Sequence, residues 1–287
     1  MSDALSSAAE GRRVLAGNLR KMRVEATDPV SYRLWLGEES IELNALLGER
    51  LALHHTGRIH CVACGSETRR SFNQGYCFAC FRSLAQCDRC ITSPERCHFH
   101  LGTCREPDWA LAHCMRPHVV YLANASGVKV GITRASQTPT RWIDQGAVQA
   151  LPIAHVATRR LSGLVEAVLK RHMSDRTDWR RMLKGDPEPE DLCARRDALL
   201  ERLGDEIAAA ADEHESEPVE PVIDETDRAF RYPVLEYPEK VRSLGFDKDA
   251  RVEGTLLGIK GQYLILDTGV FNVRRHGGYE IELQLAV

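Results

Sequence analysis

The chain has 287 residues, 43% of them hydrophobic and 28% charged, and carries a net charge of −3. That balance is ordinary for globular protein and leaves room for two or three small domains. No run approaches the ~20 apolar residues of a membrane span, and the opening Met1-Ser2-Asp3-Ala4-Leu5 lacks the basic start and apolar stretch of a secretory signal, so a cytoplasmic protein that makes no membrane contact is expected. The small net charge hides a segregation: residues 115–184 sum to +8 and residues 185–250 to −12. A basic block beside an acidic one suggests a polyanion-binding face with an internal strip that competes for it; the alternative is two solvated faces.

Residues 14–60 alternate apolar and polar positions, as in Ser31-Tyr32-Arg33-Leu34-Trp35-Leu36, which predicts a small antiparallel β element as a first unit, 1–60. Residues 61–118 have too little periodicity for a core of their own, so metal binding must supply the missing free energy. From 119 to 184 the order changes. Val119-Val120-Tyr121-Leu122-Ala123 reads as a strand, Asn124-Ala125-Ser126-Gly127 as a turn and Val128-Lys129-Val130-Gly131-Ile132-Thr133 as a second strand, together a hairpin. A helix follows from Thr138, with Pro139 in its first position and Gly146 at its end. A third strand over 151–157 precedes a helix capped by Ser162 with Leu164, Val165, Val168 and Leu169 along one side. Gly185-Asp186-Pro187-Glu188-Pro189-Glu190 marks a boundary. Beyond it, 190–213 reads as an acidic amphipathic helix and 214–221 as a connector within a 185–225 segment. Four short strands with glycine turns then predict a small β-barrel over 226–287. The fold class is α+β, multi-domain.

Nine of the ten cysteines lie between Cys61 and Cys114. Cys61/Cys64 and Cys77/Cys80 are two C-x2-C pairs twelve residues apart, and such turns aim both thiolates at a point about 2.3 Å away, where a zinc ion completes a tetrahedron. A disulfide framework is disfavoured in a reducing compartment. Cys87/Cys90 repeats the spacing; two more ligands are expected among Cys97, Cys104 and Cys114, with His118 also a candidate. Two structural Zn2+ ions follow, the alternative for the second set being buried free thiols. Cys193, alone on the acidic helix, reads as such a thiol. Closed sites of this kind organise structure, so no zinc catalysis is expected.

With Tyr121, Lys129-Val130-Gly131-Ile132-Thr133, Arg141 and Glu166 in order, the segment 119–172 resembles the GIY-YIG nuclease domain. Val119-Val120-Tyr121 stands in the place of its first motif and Lys129-Val130-Gly131 in that of the second, where Lys129 replaces a tyrosine. The whole chain also resembles an uncharacterised bacterial family of unknown function, through Gln74-Gly75-Tyr76-Cys77, Gly102-Thr103-Cys104-Arg105, Arg141-Trp142-Ile143-Asp144-Gln145-Gly146-Ala147 and Gly258-Ile259-Lys260-Gly261-Gln262-Tyr263. The nuclease resemblance implies a phosphodiester hydrolase. Such chemistry needs a base, a cation on the phosphoryl oxygens and a divalent metal. Tyr121 would serve as, or help orient, the base, Arg141 would be the phosphate clamp and Glu166 the ligand of one Mg2+ or Mn2+, with Lys129, Thr133 and Arg134 on the nucleic-acid backbone. Lys129 would lower the Tyr121 pKa by proximity. Each residue has a structural alternative: a strand aromatic for Tyr121, an exposed ion pair with Lys170 for Glu166, stacking on Trp142 for Arg141.

Three functional readings follow. The first is a zinc-containing protein that binds DNA or RNA and cuts it in a metal-dependent reaction. The second is a non-catalytic nucleic-acid- or ribosome-associated module using the same cations. The third is a protein-interaction scaffold docking through the acidic helix.

Overall fold

In the computed structural model, which describes residues 13–212 and 218–285, the alternating stretches at the two ends of the chain build one sheet between them. The N-terminal stretch forms β1 (Arg13–Asn18), β2 (Arg23–Glu25), β3 (Ser31–Leu36), β4 (Glu39–Glu42) and β5 (Arg50–Ile59). The cysteine-rich stretch holds two short helices, α1 (Phe78–Ser83) and α2 (Pro107–His113), among 3-10 turns. The middle of the chain gives β6 (His118–Asn124), β7 (Val128–Arg134), α3 (Thr140–Asp144), β8 (Gln149–Val156), α4 (Arg159–Leu169), α5 (Trp179–Met182) and α6 (Leu192–Asp212). Three two-residue strands follow, β9 (Glu220–Pro221), β10 (Arg228–Ala229) and β11 (Ser243–Leu244), and then β12 (Arg251–Lys260), β13 (Tyr263–Leu266), β14 (Gly269–Asn272) and β15 (Tyr279–Leu285).

The expected C-terminal barrel does not form. Its four strands join an open seven-stranded sheet in the order β1-β15-β5-β12-β13-β14-β11. Leu53 of β5 lies opposite Leu283 of β15 on one side and Val252 of β12 on the other, and all three are buried in one apolar cluster. Period-two alternation specifies which face of a strand is buried, but it does not name the partner strand. Here the N-terminal and C-terminal stretches each own half of a core and complete it by pairing. The three-stranded sheet β2-β3-β4 adds Tyr32, Leu34 and Leu36 to the same cluster.

The second sheet runs β10-β8-β6-β7, with β9 also on β8. β6 is central, antiparallel to both neighbours, and buried along its length. The order β6, β7, α3, β8, α4 is the β-β-α-β-α succession read from the sequence. Two local expectations are corrected. α4 is capped by Thr158, whose side chain accepts from Leu161 N at 3.1 Å; Thr158 is extended there, the conformation an N-cap requires, whereas Ser162 lies inside the helix and donates to Arg159 O at 2.7 Å. α3 begins at Thr140, with Pro139 as its cap rather than its first residue. The acidic helix α6 buries Leu192, Leu199, Leu203 and Ile207 against α4 and the sheet, so its apolar stripe is used inside the fold. The last residue of the helix expected at 190–213 and residues 214–217 of the connector expected at 214–221 lie outside the described ones.

The two sheets meet at α3. Asp144 at its end holds Lys21 in an ion pair and accepts from Gln262 Nε2 at 2.9 Å. Gln262 in turn bridges Met22, accepting from its N–H at 2.8 Å and donating to its carbonyl at 3.1 Å. Tyr232 donates to Ala147 O at 2.7 Å just beyond. A nearly buried carboxylate with two donors is fully satisfied, so these bonds fix the angle between the two walls of the cleft described next.

Candidate metal centre and cationic cleft

None of the four apolar clusters takes a buried residue from 61–118, as the weak periodicity of that stretch implies. In their place, the sulfurs of Cys61, Cys64, Cys77 and Cys80 all lie within 4.8 Å of one another. The first pair sits in the turn that follows β5, where Gly65 takes φ +74°; the second opens α1, with Cys77 as its cap accepting from Cys80 N at 3.5 Å. Cys64 Sγ and Cys77 Sγ are 3.9 Å apart. The edge of a zinc tetrahedron with bonds of about 2.3 Å is roughly 3.8 Å, far longer than a disulfide. Burial raises the Cys61 thiol, but backbone N–H groups of Cys64, Cys77 and Ala63 outweigh it and hold the group below its ordinary value. Hydrogen bonds from Ser66 draw Cys64 down to about 6. The donor set is therefore one that can hold zinc: four thiols at tetrahedral spacing, two already biased toward thiolate.

The later cysteines are arranged differently. Burial raises Cys87, which is hydrogen-bonded by Asn73 and lies on the cleft wall. Cys90 instead donates to Cys97, drawing Cys97 down to about 6. Cys87 and Cys90 stand on successive 3-10 turns, 85–87 and 89–91, and Cys87 belongs to neither group of three or more metal-ligating side chains found among the described residues. Cys114 is buried, beside Cys97 and Cys104. A three-ligand group of Asp88, Cys90 and His98 also falls within 4.8 Å, but Asp88 already binds Arg105 Nε at 2.6 Å. His118 is placed at the start of β6, its Nδ1 donating to Arg116 O at 2.6 Å and its pKa pushed down to about 4 by burial.

A cleft of about 1020 Å³ runs between the two sheets and the cysteine-rich segment. All six residues expected to do chemistry or bind backbone line it: Tyr121, Arg141 and Glu166 together with Lys129, Thr133 and Arg134. The hairpin register explains the centre of the cleft. Tyr121 of β6 lies opposite Gly131 of β7, and a Cβ at 131 would stand 2.7 Å from the tyrosine hydroxyl, so only glycine leaves room for the ring. Trp142 of α3 closes the other side edge-on at 5.8 Å. Gln145 then gathers two donors on one oxygen, Tyr121 Oη at 3.0 Å and Lys129 Nζ at 2.9 Å.

These environments overturn one expectation. Burial pushes Tyr121 up to about 12, with Arg141 opposing only in part, so the hydroxyl is a fixed donor and Lys129 does not acidify it. The lysine responds instead: burial, aided by Arg141, lowers Lys129 to about 8. Glu166 is raised by burial and pairs with Lys170 at 3.1 Å, while Lys170 also reaches Asp175 at 3.2 Å. The ammonium thus occupies the space between the two carboxylates. Among the described residues no group of three or more Cys, His, Asp or Glu side chains gathers around Glu166; the carboxylates there are Glu166 and Asp175, both on Lys170, and a Mg2+ ion held by one or two carboxylates with waters in its shell would have to displace that ammonium. No stacking of Arg141 on Trp142 occurs among the described residues.

Sequence reasoning missed part of this cleft. Arg20 and Lys21 come from the loop between β1 and β2, Arg274 from the turn between β14 and β15, and Arg159 from the start of α4. The first three carry no local pattern, because they reach the cleft only through the pairing of distant strands. Gln145 did stand in the stretch 141–147 singled out for its family resemblance, though without a role. No helix among the described residues is long and apolar enough to cross a membrane. No curated protein and no solved structure matches the chain. A family model described as protein of unknown function (DUF2797) matches residues 48–281.

Proposed function

Because the chain belongs to the DUF2797 family, whose description names no activity, we propose its role from the site itself: it binds nucleic acid, seating phosphates in the cleft, while zinc on Cys61, Cys64, Cys77 and Cys80 holds the wall beside it. The observation that carries this reading is the charge of one concave surface. Nine Lys or Arg side chains line the cleft against four carboxylates, although the chain as a whole is acidic. A cleft of one sign focuses the field and concentrates a polyanion, and phosphate contacts from Arg and Lys supply most non-specific nucleic-acid affinity. Thr133 adds a hydroxyl and Arg141 a planar fork suited to phosphate oxygens. A second zinc would draw on the Cys90 and Cys97 pair, with further ligands among Cys87, Cys104, Cys114 and His118.

Cleavage is a second reading, favoured by the meeting of Tyr121, Arg141 and Glu166 in the same cleft. It requires a base, and burial lowers Lys129 to about 8 while it pushes Tyr121 up. It also requires Glu166 to part from Lys170. One experiment separates the readings: the purified chain with single-stranded, duplex and branched DNA and RNA, with and without Mg2+ or Mn2+. The binding reading expects complexes weakened about tenfold in Arg141→Ala, the loss of one charged hydrogen-bonded contact, and no products. Products that disappear in Glu166→Ala would establish cleavage in its place. Failure to bind either polymer at moderate salt would refute both.

A further inference from the structure

We infer that the inner end of the cleft takes the terminal phosphate monoester of a nucleic-acid strand, and that Arg274 distinguishes it from a bridging phosphodiester. The inference rests on the nucleic-acid reading and names the part of the polymer that the cleft holds.

Three guanidinium groups reach this region from separate elements: Arg141 from α3, Arg159 from the first turn of α4, and Arg274 from the turn between β14 and β15. All three line the one cleft, and Arg141 lies near enough to both Arg159 and Arg274 for its charge to oppose theirs, with Cys114 and Asp144 acting the other way. None forms an ion pair with a carboxylate of the described residues. The acids nearby are engaged elsewhere: Asp144 by Lys21 and Gln262, Glu166 and Asp175 by Lys170. Arg159 donates to Ile91 O at 2.7 Å, but its buried Nε has no hydrogen-bond partner. Lys129 lies in the same cleft, held by Gln145.

Gathering like charges away from water costs free energy unless an anion compensates them. A bridging phosphodiester brings one negative charge. A phosphate monoester brings about −1.5 to −2 near neutral pH and three strong acceptor oxygens, and it suits the three forks and the ammonium better. The cavity volume, about 1020 Å³, is at the upper end of small-ligand pockets, a size suited to the end of a strand. Arg274 is the residue to test because it comes from the turn between β14 and β15, whereas Arg141, Arg159 and Lys129 come from the hairpin unit. A monoester, with its third acceptor oxygen, can reach Arg274 on one wall while keeping two oxygens for the other.

The test is fluorescence anisotropy with one single-stranded oligonucleotide carrying a 5′-phosphate, a 3′-phosphate or hydroxyls at both ends. One phosphorylated end should bind at least about tenfold tighter than the hydroxyl form, as one extra charge-assisted contact provides. Arg274→Ala should erase that preference, weakening the phosphorylated ends about tenfold more than the hydroxyl form. Arg274→Gln, which retains a long stem for packing, should do the same. Equal affinity for all three ends, with binding that still falls with salt, overturns this inference and leaves the nucleic-acid reading standing. Absence of binding for every end overturns that reading itself. A nucleoside monophosphate competing as well as the phosphorylated strand would assign the seat to a free nucleotide and overturn the strand-end assignment.

Discussion

The cysteine-rich segment 61–118 and the hairpin unit around β6 face one cleft, but different forces hold them. The hairpin unit buries Val120, Leu122, Leu151 and Val165 in a continuous apolar cluster, with Trp142 sealing the cleft side. The cysteine-rich segment contributes nothing to any cluster and brings four thiols to tetrahedral spacing. One wall of the cleft is therefore set by apolar burial, while the other carries a thiol set that can hold zinc, so each should yield to a disturbance that spares the other.

The largest effect expected is on the thiol-held wall. Structural zinc contributes apparent free energies of about 10–16 kcal/mol in small zinc modules, so chelation, or Cys64→Ser with Cys77→Ser, should abolish hydrogen-exchange protection across 61–118. Protection of β6, β7 and α4 should persist. Uniform loss over both regions would show that they do not stand apart. Mass spectrometry under native conditions should find two zinc ions per chain, one of them removed by Cys90→Ser with Cys97→Ser; a single ion indifferent to that pair would leave the second set as free thiols.

An intermediate effect is expected at Gly131. Its Cβ in Gly131→Ala would meet Tyr121 at 2.7 Å, and overpacking of this kind costs about 1–3 kcal/mol. Denaturant unfolding should show that loss in the hairpin unit with zinc content unchanged. An unaltered midpoint would mean that the tyrosine ring yields easily.

The smallest effect is on pH dependence. Arg141, Glu166 and Asp175 are the charged groups facing Lys129, whose pKa lies at about 8 against an ordinary 10.5. Above pH 8 the folded chain loses this proton while the unfolded chain keeps it, so stability contributed by this site rises with pH between about 8 and 10.5, by linkage. Phosphate binding favours the charged amine, so affinity should fall over the same interval. Lys129→Met should flatten both trends. A pH-independent affinity in the unaltered chain would place the ammonium away from the anion.

Much of this was legible in the residues, for reasons that also mark where it stopped. The hairpin and the first four cysteines depend on spacings of a few residues, with Gly131 opposite Tyr121 and each C-x2-C turn closing on itself. The ion pair of Glu166 with Lys170 follows from helical spacing and was weighed as the structural alternative. By contrast, the pairing of β5 with β12 and β15 joins positions some two hundred residues apart, and alternation cannot name such partners. Arg274 entered the cleft by that route. Cys87 repeats the knuckle spacing with Cys90, but that spacing does not give its place on a separate 3-10 turn with Asn73 as its hydrogen-bond partner.

The salt dependence of binding tests the central claim, that the cleft's cations seat phosphates, most directly. Log affinity for a duplex should fall linearly with log salt concentration at a slope of about −0.9 per phosphate neutralised, and Arg141→Ala should reduce the steepness by about one contact. An affinity insensitive to salt, or a slope that Arg141→Ala leaves unchanged, would contradict it.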